Sequence, residues 1–346
     1  MSQLAHEIHE QPAVLRRLLE EEQAPARRVA AAIRSRDVQH VVIAARGSSD
    51  NAARYAQYLF GALNHLAVGL ATPSLFTLYQ APPRLAGALV VGISQSGQSP
   101  DVVSVIAEGR RQGALTLALT NDPASPLAAA AEHNLDLHTG PERSVAATKT
   151  YTASLAALAL LAVTLADDET RRAELFALPD AVAHSLPLAE EAAQAAATRW
   201  RFADRCVVIG RGYNYATAFE IALKLKELTY VVAEPYSPAD FLHGPVAMVE
   251  RDFPALVIAP SGATLADVRV LAGELREAGA ELLILSDQAA TRALGQIALP
   301  LPADVPEWLS PVTTAVAGQL FALHLTLVKG LDPDKPRRLR KVTRTH

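Results

Sequence analysis

Ala88-Leu-Val-Val-Gly-Ile-Ser94-Gln95-Ser96-Gly97-Gln98-Ser99-Pro100-Asp101 joins an uninterrupted apolar run to a hydroxyl-rich loop and then to a helix start. Apolar positions without alternation predict a strand covered on both faces, as in a parallel sheet. Ser99 suits the N-cap, Pro100 the first helical position and Asp101 the first turn, so three consecutive residues specify where the helix begins. Free backbone N–H groups at that terminus, ringed by Ser94, Gln95, Ser96 and Ser99, make a cradle for an anion without a lysine. Taken alone, the same loop also reads as a capped surface turn.

Working outward, the same order of elements recurs in the two halves of the chain. Val41-Val42-Ile43 with Gly47 matches Val207-Val208-Ile209 with Gly212, and Leu89-Val-Val with Ser96-Gly97 matches Leu256-Val-Ile with Ser261-Gly262. Glu108 and Gly113 match Glu274 and Gly279, and Leu117-Ala-Leu-Thr120 matches Leu283-Ile-Leu-Ser286, at a nearly constant offset of about 166 residues. The chain reads as a duplication. Continuous apolar strands near 39–45, 88–93, 115–120 and 135–138 alternate with helical segments, which predicts an α/β fold of two parallel sheets with helices on both faces. In such sheets ligands sit beyond the carboxyl ends of the strands, where the 94–99 loop and Gly47-Ser48-Ser49-Asp50 both lie. The expected division is an N-terminal helical segment over 1–34, a first domain over 35–166, a helical connection over 167–199, a second domain over 200–330 and a C-terminal tail over 331–346.

The 346 residues suit two domains of ordinary size, and half of them are hydrophobic, enough to fill two cores. The net charge of −4, from 32 basic and 36 acidic side chains, disfavours nucleic acid or an anionic membrane as partner. Thr150 to Ala166 is uncharged, but it is Ala-rich and carries Thr152, Ser154 and Thr164, so it reads as a buried core helix. The N-terminus is charged where a signal peptide needs an apolar segment. Cys206 is the sole cysteine and sits in an apolar run, which predicts an inert buried thiol and a reducing, cytoplasmic setting.

Three stretches carry candidate chemistry. In Thr217-Ala-Phe-Glu220-Ile-Ala-Leu-Lys224-Leu-Lys226-Glu227, the residues Glu220, Lys224 and Glu227 share one helical face, either as a solvated salt-paired surface or as part of a site. His243 lies in a loop framed by Pro235, Pro238, Gly244 and Pro245, a better setting for a catalytic histidine than an apolar helix face. Lys341 belongs to a basic, Pro-interrupted tail, where a charge run is ordinarily a solvated end. No histidine pair at metal spacing is backed by carboxylates or cysteines, so neither metal nor cofactor is expected.

Taken together, the Ser-Gln-Ser-Gly loop, Glu142-Arg-Ser-Val-Ala-Ala-Thr-Lys149, Ala222-Leu-Lys-Leu-Lys-Glu227, His243-Gly-Pro245 and Lys335-Pro-Arg-Arg-Leu-Arg-Lys341 resemble the sugar isomerase (SIS) family. From Glu7-Ile-His-Glu-Gln-Pro12 onward the chain is similar to the isomerase half of glutamine:fructose-6-phosphate amidotransferases and to SIS-type glucosamine-6-phosphate deaminases. The resemblance implies two SIS domains of flavodoxin-like topology. It implies that Ser94, Gln95, Ser96 and Ser99, with Ser48 and Ser49, hold the phosphate of a hexose 6-phosphate, and that Val145 and Ala146 contact the sugar through their backbone. It further implies that Glu227 moves a proton between carbons 1 and 2 with Lys224 as its neighbour. His243, supplied by the partner subunit, would open the ring, and Lys341 would form a Schiff base with the ketose. A homodimer or larger homo-oligomer with a shared site follows from that arrangement.

Departures from the family pattern shape the expected reaction. Position 2 is serine, where a glutaminase would need its cysteine nucleophile. Ala239-Asp240-Phe-Leu242 replaces the family's Gly-Glu-Leu-Lys ahead of the histidine, and Arg340 stands where the synthase has a small residue. The resulting expectation is an isomerising deaminase that converts glucosamine 6-phosphate to fructose 6-phosphate and ammonia. A fructosamine-6-phosphate deglycase, another phosphosugar aldose/ketose isomerase and a non-catalytic sugar-phosphate sensor are the alternatives.

Overall fold

The computed structural model describes residues 1–341. Ten strands form two all-parallel sheets of five. The first comprises β1 (His40–Ala44), β2 (Ala67–Leu70), β3 (Ala88–Ile93), β4 (Leu115–Thr120) and β5 (His133–Asp136), in the order β2-β1-β3-β4-β5. The second comprises β6 (Arg205–Ile209), β7 (Val232–Tyr236), β8 (Pro254–Ile258), β9 (Glu281–Ser286) and β10 (Ile297–Pro300). Its order, β7-β6-β8-β9-β10, is the same permutation. This is the flavodoxin-like order, with the switch of direction between the first and third strand of each sheet.

The central strands β3 and β4 are buried at every position, the two threonines of β4, Thr116 and Thr120, included. Edge strand β2 is different: its residues are only partly shielded, so a search for apolar runs passes over it. On one face of the first sheet Val90 packs with Val102, Val105, Ile106 and Leu127, and in the second sheet Val207, Ile209, Ala255 and Ile284 pack with Val268, Leu271 and Leu275. Helices Lys149–Ala166 and Ser310–Val328 are apolar and long enough to cross a membrane, yet 83% of each apolar window is buried inside protein. They are core helices. Three helices, Gln3–His9, Gln11–Glu21 and Gln23–Ser35, precede β1, and Glu169–Arg199 joins the two sheets in sequence.

The duplication extends to backbone detail. Helix Ser48–Asn64 starts at Gly47 (φ 56°, ψ −131°) and ends at left-handed His65. Helix Tyr213–Thr229 starts at Gly212 (φ 61°, ψ −134°) and ends at left-handed Tyr230. Both run 17 residues, so their positions correspond one to one. Positive φ at each start explains the glycines.

Two compact units interleave along the chain. One contains Ala13–Glu142, Lys149–Ala177 and the described tail residues Arg340 and Lys341; the other contains Met1–Pro12, Arg143–Thr148 and Leu178–Leu339. The short segment 143–148 thus belongs with the second sheet although the first sheet's residues flank it.

Candidate active site

The loops leaving β1 and β3 flank the switch point of the first sheet, and an ion pair ties them together. Arg46 Nε lies 2.7 Å from Asp101 Oδ2, whose side chain is fully buried, and Asp101 Oδ1 accepts from the Val102 N–H at 2.9 Å. The pair offsets a carboxylate that would otherwise repel an anion at this edge. Ser99 is the N-cap by position, but its hydroxyl makes no capping bond, and Gly47 has no side chain to cap with. Neither N-cap residue therefore caps its helix with a side chain, and in the second helix the Asp101 carboxylate takes one first-turn amide, that of Val102.

Internal bonds rigidify the 94–99 loop. The Gly97 N–H donates to Ser94 O and Ser94 Oγ at 3.2 Å each, the Gln95 carbonyl accepts from Asn121 N at 3.1 Å, and Gly97 O accepts from Leu127 N at 3.1 Å. Gly97 has φ 60°, and a Cβ there would meet Ser125 Oγ at 2.1 Å. Only glycine fits that position. Burial pushes the Asp50 carboxyl, in the first turn of the neighbouring helix, above its ordinary range against the pull of Arg54 and Arg46.

Glu220, Lys224 and Glu227 are not a solvated face. Glu220 and Lys224 are 1% and 2% exposed, and Lys224 Nζ sits 3.5 Å from Glu220 Oε1 and 2.5 Å from Glu227 Oε2. Counted from the capping glycines, the same three positions in the first half are Tyr55, Leu59 and Ala62, of which Tyr55 and Leu59 are fully buried core residues. One copy of the helix packs apolar side chains where the other buries a charged triad. Desolvating such a triad costs several kcal/mol per ion, so packing alone does not explain it. Glu227, partly exposed, is its outlet to solvent.

The 142–150 segment is anchored from both ends. Within the first unit, Glu142 accepts from the Thr150 N–H at 3.1 Å and the Thr150 hydroxyl at 2.8 Å, and its Oε2 lies 2.5 Å from Lys341 Nζ. The Lys149 ammonium donates to Pro141 O at 2.8 Å. Within the second unit, the buried Glu7 carboxylate accepts from Arg143 N at 2.5 Å, from Ser144 N and from the Ser144 hydroxyl. Gln11 donates to Gln319 Oε1 at 2.9 Å, and Gln319 donates to Thr148 O at 3.4 Å. Glu7 and Gln11 thereby hold the backbone around Val145 and Ala146. The sequence shows both residues but no role for them: Glu7 lies in helix Gln3–His9, Gln11 opens the next helix, and only their burial sets them apart.

His243 is exposed at the end of the short helix Pro238–Leu242, and its N–H donates to Asp240 O at 3.2 Å. Ser237 caps that helix, accepting from Asp240 N at 3.1 Å. Full burial pushes the Cys206 thiol up to about 12, as expected of an inert core cysteine. Among the described residues no group of three or more His, Cys, Asp or Glu side chains is placed to hold a metal ion. The candidate residues divide by unit: Ser48, Ser49, Ser94, Gln95, Ser96, Ser99 and Lys341 belong to one, and Val145, Ala146, Lys224, Glu227 and His243 to the other.

Comparison with known proteins agrees with this architecture. The SIS domain family matches residues 35–164 and 201–329. An isomerizing glutamine–fructose-6-phosphate aminotransferase of Gloeobacter violaceus is 36% identical over 351 residues, covering 97% of this chain and 57% of that protein. The chain thus spans a little over half the length of this curated relative. Among solved structures, a candidate phosphosugar isomerase from Silicibacter pomeroyi DSS-3 is 36% identical with a TM-score of 0.87, covering 96% of this chain and 100% of that one. The C-terminal domain of glucosamine-fructose-6-phosphate aminotransferase from Francisella tularensis is 26% identical with a TM-score of 0.86, covering 97% of this chain and 98% of that one. With one match over each parallel sheet and the switch-point loop between strand and helix in place, the chain belongs to the SIS domain family.

Proposed function

We propose that the chain is an isomerising deaminase of an amino-sugar phosphate, with glucosamine 6-phosphate as substrate and fructose 6-phosphate and ammonia as products. The observation that carries this reading is the buried Glu220–Lys224–Glu227 triad, placed where the duplicated helix has an apolar core. A sensor that only binds a sugar phosphate has no use for it.

In this reading Ser94, Gln95, Ser96 and Ser99, with Ser48 and Ser49, hold the phosphate. His243 opens the ring by moving a proton between the ring oxygen and the C1 hydroxyl. Glu227 removes the C2 proton of the open aldehyde while O1 gains a proton, then returns it to C1, leaving an imine at C2. Lys224, 2.5 Å from Glu227 Oε2, positions that carboxylate for the first step. The Lys341 amine, relieved of its extra proton by Glu142, attacks C2 and displaces ammonia. Water then cleaves the lysine imine to give the ketose and the free amine.

The exposure of His243 suits donation to the site of a second copy, so the active form is a homodimer or larger assembly in a reducing, cytoplasmic setting. Coupled detection of fructose 6-phosphate and ammonia from glucosamine 6-phosphate tests the reaction; wild-type rates equal to those of Glu227→Gln overturn it. Mixing inactive Glu227→Gln and His243→Ala chains tests the shared site. Random dimers should recover about a quarter of wild-type activity through one intact site per mixed pair, whereas no recovery places His243 within its own chain's site.

A further inference from the structure

The second half repeats the anion cradle of the first and fills it with the chain's own carboxylate. Ser261-Gly262-Ala263-Thr264 follows β8 as Ser96-Gly97-Gln98-Ser99 follows β3, and it leads into helix Leu265–Glu277 as the first loop leads into Pro100–Arg111. Even the ion pair that ties the switch-point loops is repeated, with Arg211 Nε 3.4 Å from Asp267 Oδ2 in place of Arg46 and Asp101. Into this loop reaches Glu307, from the turn before helix Ser310–Val328. Its Oε2 accepts from Ala263 N at 2.8 Å, and its Oε1 accepts from the Thr264 hydroxyl at 3.1 Å and from Thr264 N at 3.4 Å.

Two oxygens on successive backbone N–H groups and a hydroxyl, at the start of a helix, is the arrangement a phosphate adopts. The fit is close: a Cβ on Gly262, whose φ is 151°, would lie 2.2 Å from Glu307 Cδ. Asp287 takes the donors at the other end of the loop, accepting from Ser261 N at 2.7 Å and from the Ser261 hydroxyl at 2.5 Å. In the first half, among the described residues, the 94–99 loop donates to backbone and serine oxygens and to no carboxylate.

We infer that the second SIS domain keeps a phosphate-binding cradle whose permanent occupant is the Glu307 carboxylate, so that each chain offers one phosphate site, in the first domain, instead of two. A carboxylate held by the fold competes at an effective concentration that millimolar free phosphate does not match. A second anion beside it would also be repelled. The duplication has in this way turned one of two equivalent binding edges into a structural joint. That the first-domain loop holds a phosphate rests on the functional reading above; the occupation of the second loop by Glu307 does not.

Equilibrium dialysis of the full chain against radiolabelled inorganic phosphate tests the inference without any turnover measurement. Wild type should bind one phosphate per chain, and Ser96→Ala with Ser99→Ala should remove it. Glu307→Ala should raise the count to two, with the additional site surviving Ser96→Ala and Ser99→Ala. Two phosphates on wild type, or an unchanged count on a folded Glu307→Ala chain, overturns the inference. Should Glu307→Ala fail to fold, Glu307→Gln keeps the tether without the charge. Hydrogen exchange at the Ala263 and Thr264 amides should then be faster than in wild type and slowed again by phosphate. Exchange in Glu307→Gln that phosphate leaves unchanged assigns Glu307 a purely structural role and overturns the inference. Absence of glucosamine 6-phosphate turnover would defeat the proposed reaction and leave this count untouched.

Discussion

Lys341 Nζ lies 2.5 Å from Glu142 Oε2, joining the C-terminal tail to a carboxylate whose side chain is fully buried. The pair anchors the proposed Schiff-base lysine and provides a base beside it. Borohydride added to the wild-type chain with fructose 6-phosphate should trap a covalent adduct on Lys341, readable by mass spectrometry. Lys341→Arg should show no adduct with unchanged melting temperature. Glu142→Gln keeps the bonds from Thr150 in part and should slow turnover more than tenfold while sugar-phosphate affinity holds. An equal adduct yield in Lys341→Arg would assign the amine elsewhere.

Lys224 compensates two carboxylates at once, so removing it alone takes that positive charge from the buried Glu220. Lys224→Met should cost about 3–5 kcal/mol of stability by urea titration. The apolar pair Glu220→Leu with Lys224→Leu, imitating the first half, should regain most of that loss and remain inactive. A double variant no more stable than the single one would show that this position tolerates no apolar packing.

Gly97→Ala places a Cβ against Ser125 at a left-handed backbone position. The expected cost is about 2–4 kcal/mol in stability, from strain plus overpacking. Phosphate affinity should fall with it, whereas Gly113→Ala, also at positive φ but with open space around it, should cost about 1 kcal/mol and spare binding. Equal binding by both variants would detach Gly97 from the cradle.

Glu7 reaches Ser144 across 137 residues of sequence. Glu7→Ala takes the acceptor from the Arg143 and Ser144 backbone N–H groups and should cost about 2–3 kcal/mol. Because those donors precede Val145 and Ala146, the KM for the sugar phosphate should rise several-fold in chains still folded at the assay temperature. An unchanged KM would confine Glu7 to stability.

Cys206 should resist alkylation at pH 8 in the native chain and react at once in urea. A thiol raised from 9.0 to about 12 holds roughly a thousandfold less thiolate at that pH. The unfolded thiol ionises above about pH 9 while the folded one stays neutral, so this contribution is present below pH 9 and drains away as pH rises toward the folded value. Native labelling at the unfolded rate would contradict the burial.

The amino-acid sequence by itself determined the two parallel sheets, their duplication, the strand-to-helix cradle and the core character of Lys149–Ala166, because each rests on local periodicity or on residues adjacent in the chain. Edge strand β2 escaped it, since a half-exposed strand has no apolar run to read. Resemblance to the SIS family named the candidate residues, but not their surroundings. Only the tertiary structure decided that Glu220 and Lys224 are buried, that Glu142 meets Lys341 across 199 residues, and that Glu307 closes the second cradle. Burial and long-range hydrogen bonds are properties of the closed chain. A charged helix face reads the same in sequence whether water or a protein core covers it, and a carboxylate distant in sequence leaves no local mark on the loop it will fill.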